Sequence, residues 1–242
     1  MKRQYSTEEK LSKWEDAREI KNLMGRMSAD YVIAQEKSMP AKYWSNREDI
    51  CLGINEGWYD GKDAVYSYYE ALDRLYRLQS QVIAEAFPNE LKGKTEEQLY
   101  GVGTMDYKPV DTPVIEIAVD GKTAKGIWCI RGGHAKITTS GPVAYWEWGW
   151  FAVDFIREED AWKIWHMQYL NEILCPCSSK LYGAEKTYDQ IPEFAQMAKF
   201  KMTPPNKPQR IRELYGVNRK FTPSPRIPEP YETFEETFSY GV

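Results

Sequence analysis

The chain contains two histidines, and one of them closes a stretch built for a strand. In "DFIREEDAWKIWHMQYL", residues 154–170, two-residue alternation puts Trp162, Ile164, His166 and Gln168 on one face. Lys163, Trp165, Met167 and Tyr169 fall on the other. With Trp162 and Ile164 packed under helices, His166 emerges where packing ends and ligand space begins. An imidazole there can exchange protons near neutral pH. The alternative is a histidine bonded to a backbone carbonyl at the end of a core strand. His134, in "RGGHAK", reads as a loop residue.

Three further residues have side chains suited to the same chemistry. Tyr31 sits on an apolar helical stripe, and a buried phenol there needs a polar partner. Lys108 falls in a loop entering a sheet, with Asp106 and Tyr107 as neighbours competing for its role. In a dry pocket its pKa would fall, making it a base or an electrostatic clamp. Glu147 lies among Tyr145, Trp146, Trp148 and Trp150, on the strand face of Gly149, Phe151 and Val153. If that face lines a cavity, Glu147 is a carboxylate in an apolar site with a raised pKa. If it faces outward, the glutamate is solvated and the tryptophans line the pocket.

These residues need elements to position them. "STEE" at Ser6–Glu9 has capping-box spacing, and Ala17, Ile20, Met24, Met27, Tyr31 and Ala34 then step by helical intervals. Glu36 is off that face and reaches a cavity only if the helix ends before Ser38. Pro40 closes this helix or starts the next, "AKYWSN". "DICLGI" is a short strand. "NEGWYDGKDAVYSYYEALDRLYRL" turns, past the pair Trp58 and Tyr59, into a third helix. From residue 112 the period becomes two: "TPVIEIAVDGKTAKGIW" is a hairpin across Asp120-Gly121, and two more strands meet across "REEDA". The pattern predicts an α+β fold with three N-terminal helices on a strongly curved antiparallel sheet, a cone-shaped barrel. Residues 1–172 would form the domain, and 173–242 an extension with a proline-rich arm packed on the body or on a neighbouring subunit.

Composition excludes several classes. The hydrophobic share of 42% and charged share of 28% are those of a globular protein. With net charge −4 and no basic block, nucleic acid is not an expected partner. No secretory signal and no apolar run of about 18 residues is present, so no membrane association is expected and the location read is cytoplasmic. Cys51, Cys129, Cys175 and Cys177 include a Cys-Pro-Cys triplet without a second knuckle, so reduced thiols and no metal are expected. The chain has no glycine-rich phosphate loop, which fits a protein without cofactors.

The helix "EDAREIKNLMGRMSADYVIAQE", the segment "GWYDGKDAVYSYYEAL", the hairpin above and the close "WFAVDFIREEDAWKIWHM" together resemble the SnoaL-like, nuclear-transport-factor-2-like superfamily of α+β cone proteins. The resemblance spans roughly residues 14 to 172. In its dehydratases, scytalone dehydratase and bile-acid dehydratase among them, a tyrosine and a carboxylate near the end of the first helix face the cavity. Tyr31 and Glu36 lie at the matching places. Two positions depart from the family: Lys108 and Trp128 stand where members often carry histidine. The resemblance implies a cofactor-independent lyase, by dehydration or retro-aldol cleavage, or an isomerase. Tyr31, Glu36, Lys108 and His166 would be catalytic, and Tyr59, Trp128, Glu147 and Phe151 would contact a hydrophobic or aromatic small molecule. A homodimer or homotrimer is expected, because a bulky second sheet face remains to be covered. The other reading is a non-catalytic small-molecule-binding or oligomer-assembly protein on the same fold.

Overall fold

The computed structural model describes residues 5–138, 141–178, 203–213, 215–217, 219–220 and 224–242. Helix α1 (Thr7–Val32) opens on the capping box: Ser6 Oγ accepts from Glu9 N, and Glu9 returns the bond to Ser6 N at 2.7 Å. Its buried stripe is Ile20, Met24, Met27 and Tyr31. Ala34, at φ 53°, breaks the helix, and a 3-10 turn over Glu36–Ser38 swings Glu36 inward. Helix α2 (Met39–Tyr43) follows, with Pro40 in its first turn. Strands β1 (Cys51–Ile54) and β2 (Gly57–Asp60) form a hairpin, so the segment expected as a plain turn is itself a strand. Helix α3 (Lys62–Ala86) buries Val65, Tyr69 and Tyr76, and short helices α4 (Pro88–Leu91) and α5 (Glu96–Leu99) lead away from it.

The sheet continues with β3 (Thr104–Tyr107), β4 (Val114–Ile117), β5 (Thr123–Thr138), β6 (Gly141–Glu158), β7 (Ala161–Pro176) and the two-residue β8 (Lys207–Pro208). Its order is β3-β5-β6-β7-β1-β2-β8, with β4 also on β5. The fold is α+β, and the sheet is curved. Two features differ from expectation. The sheet is open, with β3 and β8 at its ends, and does not close into a barrel. It is also mixed, because β1 runs parallel to β7, pairing Cys51 with His166. Parallel pairing is possible here because a long crossing of the fold separates the two strands in sequence.

Ile20, Met24, Met27 and Tyr31 of α1, with Val65 and Tyr69 of α3, pack against Trp128, Phe151, Val153, Phe155, Ile164 and Met167 of the sheet. Each such fully buried side chain contributes about 1.5–3 kcal/mol. The opposite sheet face carries a second cluster, Ile127, Ala152 and Tyr240, flanked by Trp150 and Phe238. The C-terminal segment therefore covers this face of the same chain: Tyr231 and Tyr240 are buried, and Val119 N donates to Tyr231 O at 3.1 Å. Among the described residues no helix is long and apolar enough to cross a membrane.

Candidate active site

The site begins where β3 crosses β5. A side chain at Gly132 would put its Cβ 1.9 Å from Tyr107 O, so only glycine lets β3 lie this close. The register that results pairs Asp106 with His134, and β6 adds Glu147 opposite Gly132. Lys108 follows β3, its backbone carbonyl accepting from Ser28 Oγ of α1 at 2.6 Å. Four polar groups thus meet. Lys108 Nζ donates to Asp106 Oδ1 and lies 3.5 Å from Glu147 Oε2. His134 Nδ1 is 3.7 Å from the same oxygen, and its ring stacks on Tyr145 at 5.0 Å.

Glu147 is held from two more sides. Tyr169 OH donates to Oε1, and Asn171 Nδ2 donates to it at 3.1 Å. The Asn55 side chain fastens the backbone of Asn171, accepting from its N at 2.8 Å and donating to its O at 2.9 Å. Burial alone would raise the Glu147 carboxyl, but Lys108, His134 and Tyr169 outweigh it and hold the group below the usual carboxylate range. Asp106 goes the other way: burial and the Glu147 charge raise it, against Lys108. For Lys108, burial disfavours the ammonium, yet Asp106 and Glu147 more than offset this and raise its pKa. This reverses the expected lowering. The lysine is a fixed cation rather than a neutral base.

Tyr31 and Glu36 form a second layer. The Tyr31 ring lies 4.7 Å from Lys108 Nζ, and burial, with Tyr69 and Tyr68 near, holds its phenol well above the ordinary value. Glu36 is buried and accepts from Tyr76 OH at 2.7 Å. Burial pushes its carboxyl up to about 7, the Tyr76 bond resisting. Tyr76 itself lines the cavity, so Glu36 sits one side chain behind the wall.

The cavity has a volume of about 610 Å³. Asp106, Lys108, His134 and Glu147 line one part, and Tyr59, Tyr68, Leu72 and Leu75 another. Tyr59 OH donates to Thr203 O at 2.7 Å. Trp128 and Phe151 do not line it. Trp128 packs edge-on against Phe155 in the core, and Phe151 stacks on Tyr169 at 5.1 Å. Both belong to the buried core and not, as expected, to the cavity lining.

His166 also departs from expectation. Phe155 pairs with Ile164 but Asp154 pairs with His166, so Trp165 is an extra residue, a β-bulge. The bulge inverts the alternation beyond it: Met167 and Tyr169 turn to the cavity side, and His166 to the other face. There its Nδ1 lies 2.9 Å from Asp154 Oδ2, beside Lys125 and under the C-terminal segment. It does not meet Tyr31 or Glu36. His134, expected in a loop, is instead a strand residue at the cavity. The two glycines before it are the points where β3 and β6 approach most closely. Tyr169 and Asn171 were not singled out by the sequence, since the bulge placed Tyr169 on the wrong face.

Asp106, His134 and Glu147 offer one donor atom each, all within 4.8 Å of one another. That is a possible metal-ligand set, but the Lys108 ammonium already sits against both carboxylates. The residues present fit an internal cation better than a metal ion.

Residues 98–168 match the family model of the SnoaL-like domain. That match falls inside the segment whose motifs resemble the SnoaL-like, nuclear-transport-factor-2-like proteins. Among solved structures it is similar to a protein of unknown function from Mycobacterium tuberculosis, at 13% identity and TM-score 0.47, over 78% of this chain and 87% of that one. It is similar to hexachlorocyclohexane dehydrochlorinase LinA-type3 from Novosphingobium barchaimii LL02, at 12% identity and TM-score 0.46, over 71% and 96%. An NTF2-like protein with a cystatin-like fold from Novosphingobium aromaticivorans gives 13% identity and TM-score 0.42, over 67% and 85%. No curated protein matches the chain. These likenesses are distant, and the proposed chemistry rests on the site alone.

Proposed function

We propose that the protein is a cofactor-independent lyase or isomerase that moves a proton on a hydrophobic ring-bearing small molecule. The observation that carries this is the meeting of His134, Glu147, Lys108 and Asp106 in a cavity that Tyr59, Tyr68, Leu72, Leu75 and Tyr76 also line. His134 is the general base, taking a proton from carbon next to a carbonyl. Glu147, kept ionised by its neighbours, supports the imidazolium that forms. The electron pair moves onto the carbonyl oxygen, where the Lys108 ammonium accepts the developing charge. Isomerisation returns the proton to a different carbon. In elimination the pair instead expels a β-leaving group, which takes the proton that His134 removed. Tyr31 positions Lys108 from behind, and Tyr59 and Tyr68 hold the ring.

The test does not require the natural substrate. The protein is incubated in D₂O with 2-tetralone and related enolisable ring ketones, and exchange next to the carbonyl is followed by NMR. Wild type should exchange above buffer, and His134→Gln should lose about 10²-fold or more of that rate. A cavity that binds the ketone yet shows no exchange would leave only the non-catalytic binding role.

A further inference from the structure

The C-terminal extension also contributes to the cavity. Residues 203–212 run along its rim and are fastened on both sides of Arg210. β8 pairs with β2, and Asn206 brackets Asp60, accepting from its N and donating to its O, both at 2.8 Å. Gln209 N donates to Glu56 O at 3.2 Å, and Ile211 N donates to Asn55 O at 3.0 Å. Between those last two anchors stands Arg210, the one described residue of the extension that lines the cavity. Asn55 is the same residue that fastens Asn171 behind Glu147, so the rim and the catalytic wall share one anchor.

The cations around Arg210 are engaged differently. Lys207 pairs with Asp60 at 2.5 Å, and Arg212 and Arg219 both contact Glu172. Arg210 has Glu213 at 3.8 Å, beyond hydrogen-bond reach, and its side chain is 52% exposed. Lys108, deeper in, is already paired with two carboxylates. The cavity therefore runs from an acid-base wall, past tyrosine and leucine side chains, to a guanidinium at the solvent side whose donors are open to a ligand.

Resting on the reading that this cavity takes a hydrophobic ring compound, we infer that its ligands carry a carboxylate, which Arg210 binds at the rim. A guanidinium offers a planar fork matched to the two oxygens of a carboxylate. A flexible, hydrated lysine would not fix the ligand's orientation as well. Bidentate binding at the rim would set which ring carbon faces His134, so the extension would act as a specificity element added to the cone.

The experiment compares 2-naphthoate with 2-acetylnaphthalene, its neutral counterpart of similar shape, by titration calorimetry. Wild type should bind the carboxylate about tenfold or more tightly than the ketone, with the preference shrinking as salt is raised. Arg210→Gln should bring naphthoate down to the level of the ketone while the thermal midpoint stays put. Equal affinities in wild type, failure of both compounds to bind, or a preference that survives Arg210→Gln would each overturn the inference. His134→Gln separates the two readings: it should keep the carboxylate preference even where no exchange activity is found.

Discussion

Glu147 and Asp154 project from opposite faces of β6, and each holds a buried lysine: Lys108 lies 3.5 Å from Glu147, and Lys125 2.5 Å from Asp154. One strand thus carries two buried charge clusters of different kinds. The Glu147 cluster opens on a cavity. The Asp154 cluster is closed by the chain's own C-terminal segment: Tyr240 N donates to Asp154 at 2.7 Å, Ser239 Oγ at 3.0 Å, and Phe234, Phe238 and Tyr240 surround the Lys125 ammonium at 4.5, 4.7 and 5.3 Å.

The first prediction follows from that contrast. Asp154→Ala leaves Lys125 buried without its carboxylate and should cost about 3–5 kcal/mol of stability. His166→Gln removes one hydrogen bond of this cluster and should cost about 1–3 kcal/mol. Neither should change the exchange rate of folded protein, because neither group reaches the cavity. Chemical denaturation alongside the D₂O assay checks both. A His166 variant of normal stability that loses exchange would return His166 to the active site.

Much of the fold was legible because its signals are local. The Ser6–Glu9 box, the stripe from Ile20 to Tyr31 and the Asp120-Gly121 hairpin each depend on residues a few positions apart. So does the alternation that grouped Glu147 with Phe151 and Val153. What escaped depends on partners far away in sequence. The bulge at Trp165 is defined only by what β6 offers opposite, and with it went the face of His166 and of Tyr169. His134 was hidden for a related reason: that the strand runs on past Gly132 and Gly133 depends on β3 and β6 approaching there, which nothing local shows. The parallel contact of β1 with β7 leaves no periodic trace at all.

Gly132 gives a prediction about that space. Gly132→Ala places a methyl on Tyr107 O and must push β3 away. The expected cost is about 1–3 kcal/mol, with Asp106 and Lys108 displaced from His134 and Glu147. Exchange activity should fall further than stability accounts for, measured at a temperature where the variant is fully folded. Full activity would show that the alignment of β3 with β5 is not needed.

Glu36 makes stability depend on pH. Its carboxyl moves from 4.5 to about 7 in the folded state, so between these values the native protein holds a proton that the unfolded chain has released. Stability therefore falls as pH rises through this window, and the ionised buried group costs about 3 kcal/mol above it. Glu36→Gln keeps an acceptor for Tyr76 but cannot ionise. Denaturation midpoints of wild type should decline from pH 5 to 8 relative to those of the variant. Parallel profiles would mean that Glu36 stays charged throughout.

The last prediction concerns the cation at the centre of the site. Asp106, His134 and Glu147 bring three donor atoms within 4.8 Å, and Lys108 supplies the positive charge that lets two carboxylates share so small a volume. Lys108→Met removes that charge while keeping most of the side chain's bulk. The carboxylates then repel each other, and a divalent ion is the simplest replacement for the lost ammonium. Zinc should raise the thermal midpoint of Lys108→Met and leave wild type unchanged. Lys108→Met with Glu147→Gln, which deletes one charged donor, should lose most of that response. The same Lys108→Met variant should lose exchange activity whether or not zinc is added, provided the ammonium itself accepts the developing oxyanion. Zinc-restored exchange would mean that any cation serves; zinc binding equally to wild type would mean that Lys108 does not occupy the place a metal would take.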